Sequence, residues 1–270
     1  MHESLTALLE DFRETGVCLA FSGGVDSALL LALLTDRGIP VTAVTFRTAL
    51  HPQGDMDNAV KVARERGAAH RFVDVDEFQD PAILQNPPDR CYHCKHLLFE
   101  TLCRLAEEEG LGVPMDGTNA DDLQEYRPGL RALKELGVRS PLAECGITKA
   151  QVREMAAELG LSTASRPSSP CMATRLPYGE TITPEKLRRI EAGEGLLKEL
   201  GFPVCRLRVQ GDLCRIEVPK DQIVRAAELH ETLSEQLTAL GFSFVTLDLK
   251  GFRSGSYDAA AGFVKKEALP

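Results

Sequence analysis

A short apolar run at residues 17–21 leads directly into the hexapeptide Ser-Gly-Gly-Val-Asp-Ser at residues 22–27, and a second apolar run follows at residues 28–34. The first run has the length of a buried strand, and the second is typical of a buried helix. The hexapeptide is therefore predicted to carry the chain from the end of a strand into the start of a helix. A strand followed by a helix is the building unit of α/β proteins, so this segment limits the fold more than any other.

The hexapeptide also has the composition of an anion-binding loop. Gly23 and Gly24 allow backbone angles at which amide N–H groups converge on one anion, and the start of a helix adds unpaired donors and the positive end of its dipole. Ser22 and Ser27 supply two hydroxyl groups. Asp26 would repel a phosphate on its own, so its useful role is to hold Mg²⁺, which bridges carboxylate and phosphate oxygens. An ordinary capped turn needs only one or two of these residues, and a phosphate site is therefore favoured.

Strand and helix patterns alternate four times in the first half of the chain. Further strands are predicted at residues 40–46, 71–75 and 112–116, with helices at 55–66 and 96–109. The alternation predicts an α/β fold, a parallel sheet with helices on both faces. Ligands of such sheets bind beyond the carboxyl ends of the strands. The segment Gly117-Thr118-Asn119 follows the fourth strand and is expected at the same edge as the hexapeptide, with Asp122 close by.

Prolines mark the domain boundary. An irregular stretch at residues 165–171 contains Pro167 and Pro170, which interrupt regular structure. We therefore expect a nucleotide-binding domain at residues 1–165 and a linker at 166–180 that carries Cys171. A small α+β domain is expected at residues 181–270. Before the boundary, Thr148 is predicted to cap a helix.

Composition excludes several classes of protein. The 270-residue chain has a net charge of −9, which weighs against nucleic-acid binding because that needs a basic surface. It has no apolar run approaching the roughly 20 residues that span a bilayer, and its N-terminus lacks a signal-peptide pattern. A cytoplasmic protein without a membrane partner is expected. In that reducing compartment the eight cysteines are not expected to form disulfides, and Cys18 and Cys205 are predicted to be buried.

The hexapeptide resembles a known nucleotide-binding loop. It lacks the G-x-x-x-x-G-K-[ST] and G-x-G-x-x-G patterns, but it is similar at each fixed position to the PP-loop, S-G-G-x-D-S, of the ATP pyrophosphatase superfamily. The resemblance implies an adenine nucleotide alpha hydrolase-like fold and cleavage of ATP between its α and β phosphates. It also implies that the enzyme adenylates a carboxylate or carbonyl oxygen, after which a nitrogen or sulfur nucleophile displaces AMP. ATP-binding residues in this scheme are Ser22, Gly23, Gly24, Asp26, Ser27, Gly117, Thr118, Asn119 and Asp122.

Three further motifs resemble one branch of that superfamily, the LarE family. They are Arg127-Pro128-Gly129, Pro170-Cys171-Met172-Ala173-Thr174-Arg175 and the stretch from Leu247 to Ser256 that contains Gly-Phe-Arg-Ser-Gly-Ser. LarE proteins adenylate pyridinium-3,5-biscarboxylic acid mononucleotide, convert its carboxylates to thiocarboxylates and thereby help to make the nickel-pincer cofactor of lactate racemase. The resemblance implies a small-molecule nucleotide substrate and a homo-oligomer. It also implies a C-terminal domain that binds substrate and transient contact with other proteins of this biosynthesis.

The resemblance also suggests roles for single residues in the second half of the chain. Cys171 is placed to supply or hold the sulfur as a thiolate, and the flanking Arg166 and Arg175 would favour that thiolate. The substrate carries its own phosphate, for which Arg175, Arg206 and Arg253 are candidates, with Glu194 steadying the cluster. Arg208 is a rival to Arg206 because both lie on one strand face. Each arginine could instead form an ordinary surface ion pair.

The pair Cys91-x-x-Cys94 leaves the source of sulfur open. A lone C-x-x-C is compatible with a redox pair, half of a zinc site or chance. Together with Cys171, however, it suits a [4Fe-4S] cluster with one iron free of protein ligands, and the resemblance includes a cluster-bearing subgroup. An open iron would bind a sulfide and deliver it to the adenylate. Other LarE proteins instead sacrifice the sulfur of the cysteine equivalent to Cys171, and the sequence alone does not separate the two.

Three rival functions remain at this point. A tRNA thiolase of the same superfamily would also combine a PP-loop with three cysteines, although the acidic charge disfavours it. An ammonia-dependent synthetase would have no use for those cysteines. A nucleotide- or metal-sensing protein would bind ATP without releasing pyrophosphate.

Overall fold

The computed structural model describes residues 3–167, 170–253, 257 and 261–262. These residues form two compact units. The first unit contains the chain up to Gln79 and again from Asp89 to residue 167, and the second contains Asp80–Pro88 and the described residues from Pro170 onward. Residues 170–180, expected as part of a linker, thus lie in the second unit, and so does the short Asp80–Pro88 excursion.

Seven strands are described: β1 (Val17–Ala20), β2 (Val41–Arg47), β3 (Ala69–Asp74), β4 (Val113–Met115), β5 (Arg206–Gln210), β6 (Leu213–Glu217) and β7 (Phe244–Leu247). The α-helices within the described residues are α1 (Glu3–Glu10), α2 (Val25–Asp36), α3 (Gln53–Glu65), α4 (Pro81–Leu84), α5 (Arg90–Glu109), α6 (Gly129–Glu135), α7 (Pro141–Glu144), α8 (Lys149–Glu158), α9 (Pro184–Glu199), α10 (Ile223–Glu228) and α11 (His230–Ala239). Short 3₁₀ turns lie at Glu77–Gln79, Asp121–Gln124, Met172–Arg175 and Lys220–Gln222.

The first unit is built on a parallel four-stranded sheet in the order β3-β2-β1-β4. Successive residues of β1 point to opposite faces, so Leu19 packs with α2, α3 and α8 while Cys18 packs with α5 on the other side. Helix α2 is apolar around its whole circumference and is almost completely buried, as expected of a helix enclosed by its neighbours. The predicted α/β fold with helices on both faces is confirmed.

One helix boundary differs from the prediction in a way that matters for the site. Helix α5 begins at Arg90 rather than at residue 96. Pro87 and Pro88 lie just before its N-cap Asp89, a position at which prolines precede a helix without breaking it. Cys91 and Cys94 therefore lie in the first two turns of a helix and not in a loop.

The second unit contains a three-stranded sheet in the order β5-β6-β7, antiparallel between β5 and β6 and parallel between β6 and β7. One face is apolar and buried, with Leu207 packed so closely on α9 that a methyl group on Gly193 would lie 2.4 Å from it. The opposite face carries Arg206, Arg208 and Glu217. Helices α10 and α11 follow each other closely and are separated at Leu229. Within the described chain no helix combines the length and apolarity needed to cross a membrane.

Candidate active site

The loop between β1 and α2 is pressed against α3. Gly23 has a φ of +68°, and a Cβ at this position would lie 2.8 Å from the backbone N and Cα of Ala59. Asn58 Nδ2 donates a hydrogen bond to the carbonyl oxygen of Gly23 at 2.7 Å. Only glycine combines that backbone conformation with so close an approach, so α3 holds the loop in one shape.

Hydroxyl and amide groups of the loop turn toward one another. Ser22 Oγ accepts from the amide of Gly24 at 3.3 Å, and Ser27 Oγ donates to the Gly24 carbonyl at 3.2 Å. The two hydroxyl oxygens are 3.4 Å apart. Within the described residues no side chain caps α2 at Gly24. The N-terminus of α2 thus presents backbone donors and its dipole at the carboxyl edge of the sheet, where an anion is favoured.

Asp26 is the charged centre of this edge. Its Oδ1 accepts from Asn119 Nδ2 at 3.1 Å, and its Oδ2 accepts from Lys149 Nζ. Lys149 is the first residue of α8, which Thr148 caps as predicted in a capping box with Gln151. Sequence reasoning missed Lys149. The signal that would have found it is its position, because a cation at a helix N-terminus opposes the helix dipole.

The segment after β4 contacts the first loop directly. A Cβ on Gly117 would lie 3.0 Å from the amide nitrogen of Ser27 and 3.1 Å from Asp26 Cβ. Buried Asp116 shapes this segment, since its carboxylate accepts from the Thr118 amide at 3.1 Å and from Thr118 Oγ1 at 2.6 Å. The structure therefore brings together two segments that the sequence places about 90 residues apart, as expected from their common edge.

Asp122 fixes the backbone of the second segment. Its Oδ2 accepts from the Asn119 amide at 3.1 Å, and its Oδ1 lies 2.8 Å from Arg127 Nη2. Asn119 Oδ1 in turn accepts from the amide of Asp121 at 3.0 Å. Asp122 thus holds Asn119 at the Asp26 carboxylate in this structure, and its contact with a nucleotide stays a prediction.

A cavity of about 420 Å³ opens at the carboxyl ends of β2 and β3. Its lining combines charged, hydroxyl-bearing and apolar residues: Arg47, Thr48, Ala49, Met56, Asp74, Val75 and Asp76. Met56 lies on α3, the helix that contacts Gly23. The volume is within the range of small-molecule sites, which combine apolar walls with a few polar groups.

The two cysteines of the C-x-x-C motif lie one turn apart at the start of α5. Cys91 is exposed and Cys94 is half-buried, and Arg90 Nη2 lies 3.6 Å from Cys91 Sγ. The spacing i, i+3 puts both on one helix side. In residues 3–167, 170–253 and the few described beyond, no three metal-binding side chains form a group that could hold a metal ion. Lys95, the residue after Cys94, connects this motif to the segment after β4, because its Nζ lies 3.3 Å from Asp116 Oδ2.

Cys171 immediately precedes the 3₁₀ turn Met172–Arg175 in the second unit. Arg175, with a side chain only 2% exposed, pairs with Glu194 through two contacts of 2.8 and 2.9 Å. Its Nη1 also donates to the carbonyl oxygens of Pro170 at 2.7 Å and Cys171 at 3.2 Å. This guanidinium is engaged inside the protein, and its predicted contact with a substrate phosphate stays a prediction.

The polar face of the second sheet is rich in arginine. Burial, followed by the nearby charge of Arg175, lowers the pKa of Arg206, as it does for a cation crowded by other cations. Arg253 lies 3.3 Å from Asp248. The cluster contains five arginines and three carboxylates, which leaves two positive charges in excess; its members are Arg175, Arg206, Arg208, Arg215, Arg253, Glu194, Glu217 and Asp248.

Comparison with known proteins agrees with these features. The chain is 38% identical over 254 residues to the pyridinium-3,5-bisthiocarboxylic acid mononucleotide synthase of Lactiplantibacillus plantarum, with 93% of this chain and 91% of that protein covered. It is 42% identical over 244 residues to the uncharacterized protein slr1717 of Synechocystis, covering 88% and 90% of the two chains. The chain belongs to the LarE family. Residues 16–87 also match the family of the queuosine biosynthesis protein QueC, so the LarE chain shares its first loop with a wider PP-loop group.

A more distant similarity is to a protein named as a tRNA-modifying enzyme. It is 30% identical over 216 residues to the tRNA-specific 2-thiouridylase MnmA of Ruegeria, with 65% of this chain and 56% of that protein covered. The LarE chain spans little more than half of the thiouridylase.

Two predictions from the sequence remain, one for Arg166 and one for the last LarE motif. Arg166 was expected to flank Cys171 and favour its thiolate, but Arg166 lies in the first unit and pairs with Asp55 at 2.7 Å. The effect of Arg166 on the Cys171 thiolate stays a prediction. Residues 254–256 of the last LarE motif, Ser254-Gly255-Ser256, lie outside the described residues.

Proposed function

We propose that this chain is an ATP-dependent sulfur transferase that adenylates the carboxylates of pyridinium-3,5-biscarboxylic acid mononucleotide and converts them to thiocarboxylates. The product belongs to the biosynthesis of the nickel-pincer cofactor of lactate racemase. The observation that carries the proposal is the joining of Asp26, Asn119 and Lys149 at the mouth of a PP-loop. Similarity to a named synthase over nearly the whole chain supports the choice of substrate.

The first half-reaction needs a good leaving group at the α-phosphorus of ATP. A carboxylate oxygen of the substrate attacks that phosphorus, an O–P bond forms, and the bond to the β-phosphate oxygen breaks to release pyrophosphate. The amides at the start of α2 and the hydroxyls of Ser22 and Ser27 are our candidates to stabilise this charge. Asp26 is the residue that would hold Mg²⁺, and the ion would supply positive charge to the phosphates. Fixed donors of this kind stabilise developing charge without reorganisation.

Lys149 has two partners in this scheme. Without nucleotide its ammonium group neutralises Asp26. If Asp26 held Mg²⁺, the Lys149 ammonium group would be released from this ion pair and would be available to the leaving pyrophosphate. The capping box at Thr148 fixes the backbone from which the lysine extends.

The cavity beside α3 offers a place for the rest of the nucleotide. It lies at the same carboxyl edge of the sheet as the loop. Its apolar residues, Ala49, Met56 and Val75, would contact a base, and the polar residues beside them would contact a ribose.

The second half-reaction replaces AMP with sulfur. A sulfur nucleophile attacks the acyl carbon of the adenylate, a C–S bond forms, and the C–O bond to AMP breaks. Cys171 is our candidate to supply or hold this sulfur. The arginine-rich face of the second sheet, with its two excess positive charges, suits the phosphate of the substrate, and Arg206 and Arg253 are the candidates there.

We further propose a [4Fe-4S] cluster bound by Cys91, Cys94 and Cys171. The i, i+3 spacing of Cys91 and Cys94 at a helix N-terminus fits two ligands of one cluster. A cluster with one open iron would supply a sulfide. The rival source is Cys171 itself, which would be consumed in each turnover.

One experiment tests the function. The purified protein is incubated anaerobically with MgATP and pyridinium-3,5-biscarboxylic acid mononucleotide, and pyrophosphate and the mass of the nucleotide product are followed together. We expect AMP and pyrophosphate in equal amounts and a product in which oxygen is replaced by sulfur. Release of ADP, or no consumption of ATP with this acid, would overturn the proposal.

A second experiment separates the two sulfur sources. Anaerobically purified protein should be brown and contain about four irons per chain if the cluster is complete. Colourless protein whose mass falls by one sulfur after turnover would instead establish sacrifice of Cys171.

Family resemblance also supports a homo-oligomer that works in the cytoplasm and passes its product to other proteins of the same biosynthesis. Light scattering of the purified protein measures its assembly. A mass equal to that of one chain would contradict the oligomer.

Similarity to a thiouridylase makes a tRNA-thiolating enzyme the second candidate. The net charge of −9 opposes it, because binding to a nucleic-acid backbone depends on basic side chains that release counterions. Tight tRNA binding that weakens steeply with salt would favour this candidate over the small nucleotide.

A further inference from the structure

The turn that follows Cys171 is tied to strand β5 by one buried guanidinium. Arg208 Nη1 donates to the carbonyl oxygen of Thr174, within the turn Met172–Arg175. The same side chain pairs through Nε with Glu217 Oε2 at 3.0 Å. The two side chains are 6% and 0% exposed, so this is a buried ion pair on neighbouring strands.

A third bond of the same guanidinium reaches a different segment. Arg208 Nη2 donates to the carbonyl oxygen of Arg253 at 3.5 Å. One side chain therefore holds the backbone beside the sulfur-bearing Cys171 and the backbone of a phosphate candidate, Arg253. Only a planar, forked cation can donate in three directions to acceptors this far apart.

The hydrogen bonds of buried Arg208 show that it is less available than Arg206 to bind a phosphate. Arg206 and Arg208 lie on the same face of β5, and either suits a phosphate by sequence alone. Arg208 is committed to Glu217 and to two carbonyl oxygens. Withdrawing it to bind a ligand would leave the fully buried Glu217 carboxylate without that partner, which is costly.

We propose that Arg208, supported by Glu217, is a positioning residue that fixes the spacing between the Cys171 turn and the Arg253 segment. Its catalytic consequence rests on the proposed function, whereas its effect on the backbone does not. Arg175 acts at the other end of the turn through the carbonyls of Pro170 and Cys171, and Arg208 completes the attachment.

The test compares Arg208→Lys with Arg189→Lys. Arg189 is a matched control because its guanidinium also donates to two backbone carbonyls of the second unit, those of Leu240 and Gly241, but outside the Cys171 turn and the Arg253 segment. Amide hydrogen exchange is measured on peptides covering residues 170–176 and 248–253. Several of these amides are hydrogen-bonded, among them those of Thr174, Leu176, Asp248 and Phe252, so their exchange is slow enough to report local opening.

We expect Arg208→Lys to accelerate exchange about tenfold in both peptides, as the loss of charged hydrogen bonds predicts. Peptides from α9 and α11 should be unchanged. Arg189→Lys should show the reverse pattern. Unchanged exchange in 170–176 and 248–253, acceleration spread evenly over the unit, or the same pattern in both variants would overturn the proposal.

Turnover supplies a second readout. At saturating substrates Arg208→Lys should release pyrophosphate within about twofold of the wild-type rate, but with a raised KM for the pyridinium nucleotide. The yield of thiocarboxylate per pyrophosphate should fall up to about 100-fold, the scale associated with misplacing a reacting group by 1 Å. A merely structural role would instead lower both half-reactions in proportion to the fraction of folded protein, and that result would contradict the positioning role.

Glu217→Gln provides a second variant if Arg208→Lys does not fold. It keeps the two carbonyl bonds of Arg208 and removes the charge that holds the guanidinium, so exchange should rise in the same two peptides by a smaller factor. No rise there would overturn the proposal. If wild-type protein makes no thiocarboxylate, the proposed function fails, while the exchange data still decide whether Arg208 ties the two segments together.

Discussion

The ammonium group of Lys149 contacts the carboxylate of Asp26 across a separation of 123 residues in sequence. Asp26 lies in the first turn of α2, and Lys149 is the first residue of α8. The contact brings a cation to the start of a helix that already carries a phosphate-binding loop. It therefore places a positive charge beside the loop from which pyrophosphate is proposed to leave.

Two replacements of Lys149 test whether its positive charge is needed for pyrophosphate release. We expect Lys149→Met to lower the rate of pyrophosphate release by about 100-fold or more, the scale seen when one group that stabilises transition-state charge is removed. Lys149→Arg keeps the charge and should retain more activity than Lys149→Met. Initial rates at saturating ATP and substrate measure the effect. Equal rates for wild type and Lys149→Met would exclude a catalytic role for this residue.

Gly23 is predicted to tolerate no side chain. Gly23→Ala must hold a left-handed conformation, which costs about 1–2 kcal/mol, and it also drives a methyl group against the backbone of Ala59. Gly38→Ala is the matched control, since Gly38 has a φ of +65° but a methyl group added there would meet no atom within 4 Å. The free energy of unfolding measured in urea should fall more for Gly23→Ala than for Gly38→Ala. The KM for ATP should also rise more for Gly23→Ala. Equal effects would show that the close approach to α3 is unimportant.

Cys171 should matter for sulfur transfer and not for adenylation. We expect Cys171→Ala to release pyrophosphate at close to the wild-type rate and to form no thiocarboxylate, because the loop that binds ATP is built from other residues. Pyrophosphate and product mass are followed in the same reaction, with hydroxylamine added to trap the acyl adenylate. Normal thiocarboxylate formation by this variant would refute the assignment.

The pH dependence of stability should reveal a buried acid at Glu77. Its side chain is 1% exposed, and burial raises the pKa of its carboxyl group above the ordinary value. Because the pKa of Glu77 is higher in the folded state than in the unfolded state, its carboxyl group contributes to the free energy of unfolding at low pH. This contribution is lost as pH rises through the folded-state pKa. Glu77→Gln should therefore gain stability over the wild type progressively above about pH 4.5. The chain has no tryptophan, so far-UV circular dichroism in urea is the suitable measurement.

Glu144 supplies a control of opposite sign for that experiment. A hydrogen bond from Arg139 lowers the pKa of the Glu144 carboxyl group, so its stabilising contribution is present near neutral pH and is lost on acidification. Glu144→Gln should be less stable than the wild type at neutral pH and equal to it in acid. Parallel curves for the two variants would contradict the different surroundings of these carboxylates.

Three cysteines should be inert in the folded protein. Burial raises the pKa of Cys18 to about 12 and those of Cys205 and Cys214 to about 11, so almost no thiolate exists at pH 8. Iodoacetamide should leave these three unmodified until the chain is unfolded, as peptide mass spectrometry will show. Exposed Cys91 in cluster-free protein is the reactive reference. Rapid labelling of Cys205 in folded protein would mean that the segment just before β5 is accessible.

Local sequence was sufficient for the parts of the site made by neighbouring residues. The strand, the glycine-rich turn and α2 follow one another directly, so their hydrophobic pattern and turn chemistry predicted both the loop and its place in a parallel sheet. The same pattern predicted that Gly117 and Asn119 would reach the same edge. These predictions succeeded because strand order and direction limit where the ends of strands can lie.

Tertiary packing decided which side chains are available for chemistry. The alternation of side chains along a strand put Arg206 and Arg208 on one face of β5. Only the structure shows that Arg208 pairs with the buried Glu217 carboxylate and is therefore not available for a ligand. The Lys149–Asp26 contact and the capture of Arg166 by Asp55 join segments that are more than 100 residues apart. Sequence by itself determined the fold class and the phosphate loop, because both arise from short-range patterns. The pairing of charges was decided by the folded structure, because it depends on distances between side chains that no local pattern records.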